Sequence, residues 1–468
     1  MLNKHFMIKR HLLIAVVFLL PFTAAIAKPA GYKFTLQIDG NTDSMMILGY
    51  YHAQHLRICD TAYNNGHGKF VFTGTRELPP GLYYFTNNKG RFVDFVVYHE
   101  KLNFKFHTNE SDWMRNMTVN GSRQNTVFFN FHRASEQLYD EMAEAKKQLD
   151  SASFVQFRYR QLKRIDTLRL QTIADYPDAM FSRMMLATKD PDNPPDSLQG
   201  NDRYFYFMYH YFDNMPLDDD FIVRTPKTVF YQRVMEYVDK HMQGLPPAMA
   251  IPMLDSLIDR SEPAPEVFKW LVLTLTEKYL QSNIMVYDEI YVHLVQRYFA
   301  TGKASFLSPS VIDEQIERAT KWERLLVGRE APELILFDTM RRAYSLHHMP
   351  GNYTLLLFWS PTCGHCRDII PAIYKVFERL SDSLDMTAYA ILTEPDDATI
   401  VKWQHFLEEH HMNSRRWINL NGGEANIDWR EVYDVQTTPQ IYLIENKEHK
   451  FIAKKLNAQL LEQISKQL

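Results

Sequence analysis

Two cysteines separated by two residues, Cys363 and Cys366, stand where a strand pattern gives way to a helix pattern. The segment before them, Tyr353 to Trp359, is a continuous apolar run typical of a parallel strand buried on both faces. After them, apolar residues recur at helical spacing as far as Leu380. This order restricts the C-terminal part of the chain to an α/β fold that carries the cysteine pair at the start of a helix.

The position of Cys363 predicts an ionised thiol. The first turn of a helix has unpaired N–H groups and the positive end of the macrodipole, and both stabilise a thiolate. A thiolate is the attacking species in thiol–disulfide exchange. We therefore interpret Cys363 and Cys366 as a redox couple.

The alternative is half of a zinc site. Structural zinc usually takes four ligands from two such pairs, and the third cysteine, Cys59, lies far upstream. The available histidines lack the spacing of a finger or ribbon: His365, His405, His410 and His411. We expect no metal and no cofactor other than the redox-active Cys363–Cys366 disulfide.

The composition is that of a globular chain with several domains. Its length of 468 residues predicts two or three domains. A content of 46% apolar and 23% charged residues is typical of globular proteins and argues against wholesale disorder. A net charge of −4 gives no basic surface of the kind that binds nucleic acid.

The first residues resemble a secretory signal. Basic residues precede an apolar stretch, Leu12 to Ala27, which ends in the small-x-small sequence Ala25-Ile26-Ala27. We expect residues 1–27 to be a signal peptide cleaved before Lys28. An uncleaved anchor is the alternative, but an apolar stretch of about 15 residues is short of the ~20 that span a membrane. The predicted location is the periplasm or cell envelope.

The cysteine count fits a chain that acts on disulfides of other proteins. Exported domains held together by disulfides carry an even number of cysteines at scattered spacings, whereas this chain has a close pair and Cys59. We expect Cys59 to be a buried small apolar residue on a strand, with a reactive third thiol as the alternative.

Residues 28–119 predict a small antiparallel β sandwich or barrel. Alternating polar and apolar residues mark strands at Lys33 to Ile38 and at Asn103 to Phe106. Turn signals such as Pro79-Pro80-Gly81 separate the strands. The strands expected between these two are Met45 to Tyr51, Lys69 to Gly74, Gly81 to Phe85 and Phe92 to Val97.

Residues 120–326 predict an all-α domain. One apolar face runs from Phe128 to Leu149 and continues at Val155, Tyr159 and Leu162. Further helices are expected at 226–242, 247–259, 265–281 and 285–299. The aromatic run Tyr204 to Phe212 predicts a helix buried nearly all round, with a surface for unfolded clients as the alternative.

Residues 327–468 alternate strands and helices, which predicts a sheet covered on both faces with active groups at strand ends. The expected strands are Tyr353–Trp359, Met386–Leu392, Trp417–Leu420 and Gln440–Ile444. The expected helices are Cys363–Leu380, Asp397–Glu409, Ile427–Tyr433 and Leu456–Gln467.

This last region resembles the thioredoxin-fold domain of the exported, TlpA-like branch of thiol–disulfide oxidoreductases. The matching features are Gly328-x-x-Ala331-Pro332, Phe358-Trp359 ahead of the cysteines, Pro371 in the helix, and Thr438-Pro439 before the strand Gln440-Ile441-Tyr442-Leu443. The upstream regions resemble, less specifically, the DUF4369-like β and DUF5106-like helical domains fused to such domains in exported bacterial proteins.

The resemblance implies a role for each residue of the motif. Cys363 is expected to be the exposed nucleophile and Cys366 the buried resolving thiol. Pro439 is expected to be cis, leaving the backbone at Thr438 free to pair with a client. The redox potential is expected to be tuned by the residues around the pair: Trp359, Gly364 and His365. Positive character from His365 should raise the potential above that of a Gly-Pro thioredoxin.

Two positions depart from the family pattern and leave the general base unassigned. Leu357 stands where cytoplasmic thioredoxins have a buried aspartate. Ile369, next to Asp368, stands where reductases of cytochrome maturation have a glutamate. Glu394, after the strand ending at Leu392, is a candidate substitute; the alternative is a solvated loop residue.

The predicted function is disulfide exchange with protein clients of the envelope. A membrane electron-transfer partner would set its direction, which the sequence does not determine. A binding or scaffolding protein that uses the domain for recognition is the alternative, although two intact cysteines argue against it. A peroxide-reducing enzyme is a third option, but its typical Thr-x-x-Cys motif is missing before Cys363.

Overall fold

A computed structural model describes residues 31–87, 89–338 and 340–468; the predicted signal peptide, residues 1–27, lies outside them. The strands are β1 Tyr32–Asp39, β2 Met45–His52, β3 His55–Tyr63, β4 Lys69–Gly74, β5 Gly81–Thr86, β6 Phe92–Val97, β7 Asn103–Asn109, β8 Thr118–Asn120, β9 Ile335–Phe337, β10 Ala343–Ser345, β11 Tyr353–Trp359, β12 Met386–Leu392, β13 Trp417–Ala425, β14 Gln440–Glu445 and β15 Lys450–Lys454. The helices are α1 Arg123–Gln148, α2 Ser151–Asp175, α3 Met180–Ala187, α4 Gly200–His210, α5 Tyr231–Glu236, α6 Pro247–Asp259, α7 Pro265–Leu280, α8 Asp288–Leu294, α9 Pro309–Arg324, α10 Gly364–Leu380, α11 Asp397–Glu409, α12 Trp429–Val432 and α13 Ala458–Ser465.

The first eight strands form two four-stranded sheets that pack on a shared core. Their orders are β4-β1-β7-β8 and β3-β2-β5-β6. Phenylalanines fill the space between the sheets, with the rings of Phe85 and Phe95 stacked 4.5 Å apart. The predicted sandwich is present, but it is not wholly antiparallel, because β1 and β7 pair in parallel with Phe34 opposite Phe104. These two strands are not joined by a hairpin, so nothing forces them to run in opposite directions.

The helical region continues the core of the sandwich. Asn125, in the first turn of α1, accepts a hydrogen bond from the Val96 N–H at 2.7 Å and donates one to the Val96 carbonyl at 2.8 Å. One buried cluster therefore extends from the β1 residue Phe34 through Phe128 and Phe129 of α1 to the later helices.

Two expectations for the helical region were wrong. Val155 and Tyr159 do not extend a buried face, since they are 64% and 59% exposed. Helices α1 and α2 pack on each other around a small separate cluster of Leu138, Met142 and Ile165, which covers only a narrow seam of α2.

The aromatic run Tyr204 to Phe212 is not buried nearly all round. Only Met208, Tyr211 and Phe212 are buried, while Tyr209 is 52% exposed. The other aromatic side chains of α4 are half-buried, because α4 lies at the edge of the helical cluster rather than between two layers of it.

The C-terminal region is a seven-stranded sheet with the order β10-β9-β13-β12-β11-β14-β15. β11, β12 and β13 are parallel, while β14 runs antiparallel to β11. Separate apolar clusters cover the two faces, one containing Leu357 and the other Phe358. The strands β11 and β12 and the helix α11 have the predicted bounds. The predicted helices Ile427–Tyr433 and Leu456–Gln467 are shorter, as α12 and α13.

Buried charges join the helical region to the C-terminal sheet. Asp288 is 1% exposed, and its carboxylate lies 2.6 Å from the Lys454 ammonium and 2.7 Å from that of Lys455. The Trp322 indole N–H donates a hydrogen bond to Asp434 at 2.7 Å. Charges removed from water require such partners, so these contacts hold α8 and α9 at a fixed position beside the sheet.

Candidate active site

The cysteine pair lies at the carboxyl end of β11, where the strand turns into α10. Cys363 is the N-cap residue of α10, and its sulfur accepts a hydrogen bond from the Cys366 N–H at 3.4 Å. Both cysteines carry free thiols; Cys363 is half-buried, and Cys366 is fully buried. One sulfur is therefore accessible while the other packs in the core.

The loop before β14 reaches the same sulfur. The Thr438–Pro439 peptide bond is cis, as the family resemblance implies. The Cys363 Sγ lies 3.2 Å from the Thr438 carbonyl oxygen. The two loops meet because β14 pairs with β11, placing Gln440 opposite Phe358.

The two thiols have opposite pKa shifts. Partial burial acts to raise the pKa of Cys363. Hydrogen bonds from the side chains of Thr438 and Cys366 and from the backbone N–H groups of Cys366 and His365 outweigh burial and hold that pKa below its ordinary value. Burial raises the pKa of Cys366 to about 12. An accessible thiol that ionises readily beside a buried thiol that does not is the arrangement that thiol–disulfide exchange requires.

The three residues named as redox-tuning surround the pair in different ways. Trp359 is fully buried, with its ring 5.2 Å from that of Phe406. Gly364 is exposed in the first turn of α10. His365 is also exposed, and it acts on the Cys363 thiolate through its backbone N–H.

Glu394 lies beside the loop that precedes Cys363. Its Oε2 accepts hydrogen bonds from the Ser360 hydroxyl at 2.9 Å and from the Thr362 hydroxyl at 2.7 Å. Ser360 is 1% exposed, and its backbone N–H stabilises the Cys366 thiolate. β11 and β12 are parallel neighbours, so the residues that follow them come together at one sheet edge.

Sequence reasoning singled out Glu394 but not its partners Ser360 and Thr362. Their position in the sequence could have identified them, because Ser360, Thr362 and Glu394 all follow the ends of two adjacent parallel strands. At the two positions that depart from the family, Leu357 is fully buried and Asp368 is exposed. Within the described ranges, the side chain of Asp368 on α10 makes no hydrogen bond. Glu394 is the carboxylate bound to the active-site loop.

Cys59 does not have the environment that the sequence predicted. It is half-buried on β3, and its sulfur accepts a hydrogen bond from the Arg76 guanidinium at 2.9 Å. Burial raises its pKa, although Arg76 opposes the shift. β3 is the outer strand of its sheet and its neighbouring side chains Leu56 and Ile58 are 62% and 71% exposed, so one of its faces is uncovered.

Two further observations concern the described residues only. They contain no cluster of three or more His, Cys, Asp or Glu side chains arranged to hold a metal ion. Across the same ranges, every helix is too short or too polar to cross a membrane.

Two families of unknown function match the chain: DUF4369 over residues 32–128 and DUF5106 over residues 137–321. A curated relative, the thiol-disulfide oxidoreductase ResA of Bacillus thuringiensis subsp. konkukian (strain 97-27), is 24% identical over 149 residues, which are 32% of this chain and 80% of the relative.

Two solved structures illustrate the similarity of parts of the chain to known proteins. A thioredoxin-like protein of Bacteroides caccae ATCC 43185 is 20% identical and covers 59% of this chain and 97% of its own, with a TM-score of 0.49. A domain of a possible thiol-disulfide isomerase of Cytophaga hutchinsonii ATCC 33406 is 27% identical and covers 30% of this chain and 92% of its own, with a TM-score of 0.27. The chain thus has DUF4369 and DUF5106 regions and sequence similarity to a thiol–disulfide oxidoreductase.

Proposed function

We propose that this protein is an exported, TlpA-like thiol–disulfide oxidoreductase that exchanges disulfides with protein clients through Cys363 and Cys366. The observation that carries the proposal is the accessible Cys363 thiol with a lowered pKa, at the N-cap of α10 and 3.2 Å from the Thr438 carbonyl. The sequence similarity to a thiol–disulfide oxidoreductase supports the same reaction class.

The reductive direction illustrates the chemistry. The Cys363 thiolate attacks one sulfur of a client disulfide, so that a Cys363–client disulfide forms and the other client sulfur leaves as a thiolate. Cys366 then loses its proton and attacks the Cys363 sulfur, releasing the second client thiolate and closing the Cys363–Cys366 disulfide. Two electrons pass from the protein to the client, and the oxidative direction is the reverse.

Because Cys366 has a high pKa, its thiol needs assistance to lose its proton in the resolving step. The Ser360 N–H stabilises the Cys366 thiolate, and Glu394 holds Ser360 by its hydroxyl. Glu394 is therefore a positioning residue for Cys366 in this proposal.

The setting of the reaction is part of the proposal. The signal-like segment 1–27 supports a location in the periplasm or cell envelope, where the partners would be envelope proteins with thiols or disulfides. Continued turnover as a reductase requires a thiol reductant, which a membrane electron-transfer protein would supply.

Trapping tests the proposal directly. The Cys366→Ala variant cannot resolve the intermediate, so we expect it to accumulate mixed disulfides through Cys363 in cells. Mass spectrometry of the reducible complexes identifies the clients. The Cys363→Ser, Cys366→Ala double variant is the control and should trap nothing.

The scaffold alternative makes the opposite prediction. A protein that only binds its partners would form no reducible complexes in the Cys366→Ala variant. It would also keep its cellular phenotype after Cys363→Ser. Either result would refute the redox function.

A further inference from the structure

A cleft of about 580 Å³ separates α9 of the helical region from the loop that carries the cis-proline. The loop side of the cleft is formed by Gln436, Thr437 and Gln440. These residues flank Thr438 and Pro439 in sequence, and Thr438 contacts the Cys363 sulfur. The cleft therefore adjoins the loop that contacts the reactive thiol.

The two walls of the cleft are tied together. Trp322 on α9 donates its indole hydrogen bond to Asp434, two residues before Gln436. Lys321, also on α9, lies 2.8 Å from the Glu431 carboxylate of α12. Because these contacts fix α9 against the loop, a chain bound at Thr438 and extending into the cleft meets α9.

The loop offers backbone donors to such a chain. In the part of the molecule that the structure describes, no group accepts a hydrogen bond from the N–H of Thr437 or Thr438. Thr437 is exposed and Thr438 is half-buried, so the loop that carries these two N–H groups lies at the surface. Unpaired backbone donors at the end of a strand bind extended peptides by main-chain hydrogen bonds.

The α9 wall gives the cleft a negative character. Glu314 and Glu317 have side chains that are 62% and 68% exposed, whereas the cations Arg318 and Lys321 are 34% and 20% exposed. Both cations are already paired with these carboxylates, at 3.0 and 2.9 Å. Three carboxylates therefore line the cleft with two cations: Glu314, Glu317 and Asp434 with Arg318 and Lys321. A fourth carboxylate, Glu431, lies outside the lining but also pairs with Lys321.

We infer that this cleft binds an extended client segment that carries lysine or arginine next to the reacting cysteine. Main-chain bonds to Thr437 and Thr438 would hold the segment, and Glu314 and Glu317 would select its positive side chains. The inference rests on the proposed function, and it gives the helical region a task in client selection. Charge complementarity of this kind acts mainly on the rate of encounter.

The test compares two synthetic peptides that contain the same disulfide, one with lysine and the other with glutamate beside the cysteines. The reduced full chain should react faster with the lysine peptide, by about tenfold at low salt, and the preference should shrink as ionic strength rises. Equal rates for the two peptides would overturn the inference. Hydroxyethyl disulfide, a small neutral substrate, is tested in parallel with the wild type. Failure to react with it would refute the proposed function itself.

A matched pair of variants assigns the preference to the cleft. Glu317 and Glu323 are separated by about 120° around the axis of α9, and of the two only Glu317 lines the cleft. Glu317→Gln should reduce the ratio of lysine-peptide to glutamate-peptide rates by roughly threefold, the size of one exposed ion pair. Glu323→Gln removes the same charge and should keep the wild-type ratio. Identical ratios in the two variants would overturn the inference.

Discussion

The sulfur of Cys363 lies 3.2 Å from the carbonyl oxygen of Thr438, a residue 75 positions later in the chain. The antiparallel pairing of β11 with β14 produces this contact by placing Phe358 opposite Gln440. It sets the accessible thiol against the backbone that we propose to bind the client. The site thus depends on register in the sheet as much as on the cysteine motif.

Replacing Glu394 should slow resolution of the mixed disulfide. Glu394→Gln weakens the two hydroxyl contacts to Ser360 and Thr362, so the Ser360 N–H is held less firmly toward Cys366. We expect the resolving step to slow by about tenfold and its pH dependence to shift to higher pH, measured by rapid-quench kinetics. Asp368→Asn, an exposed carboxylate on α10, is the matched control. An unchanged pH profile in Glu394→Gln would contradict the positioning role.

The reduction potential should lie above about −270 mV, the value for thioredoxin, because a stabilised Cys363 thiolate favours the reduced form. The His365 N–H is one donor to that thiolate. His365→Pro removes the N–H and should lower the potential by about 30 mV, measured by equilibration with glutathione.

His365→Ala separates the backbone from the side chain. It retains the N–H and removes an exposed imidazole that makes no hydrogen bond to Cys363, so its potential should stay near that of the wild type. This differs from the expectation that the positive character of His365 sets the potential. An equal fall in His365→Ala and His365→Pro would show that the imidazole, rather than the backbone, stabilises the thiolate.

The contact between α8 and β15 should contribute strongly to stability. Asp288→Asn leaves Lys454 and Lys455 facing a neutral side chain, and Lys454 is itself largely buried. Loss of one partner of a buried ion pair lowers the free energy of unfolding by about 3–5 kcal/mol. The urea concentration at the midpoint of unfolding should therefore fall clearly. The exposed Asp313→Asn on α9 serves as control, and a midpoint equal to the control's would show that the Asp288 contact adds little.

Local patterns in the sequence were sufficient to predict the central strands of the C-terminal sheet. The run Tyr353–Trp359 is buried on both faces, so its apolar character alone marks the strand, and the helix begins where Cys363 caps it. The neighbouring strand Met386–Leu392 is buried at every residue, so it could be predicted from its sequence for the same reason.

Contacts between distant segments could not be predicted in this way. The parallel pairing of β1 with β7 and the bonds from Glu394 to Ser360 depend on which strands become neighbours. The environment of Cys59 depends on β3 being an outer strand with one uncovered face. Hydrophobic periodicity reports which side of an element is apolar, but not what covers it.

The central claim is that Cys363 ionises more readily than an ordinary cysteine, and alkylation kinetics test it most directly. The reduced protein is treated with iodoacetamide between pH 5 and 9, and mass spectrometry follows each cysteine separately. A lowered pKa means that the thiolate, and so the rate, reaches its plateau at lower pH. We predict that the alkylation rate of Cys363 reaches half its plateau at a pH below the ordinary cysteine pKa of about 8.5. Cys366 should be almost unreactive across the whole pH range. A midpoint for Cys363 at or above about 8.5 would contradict the account.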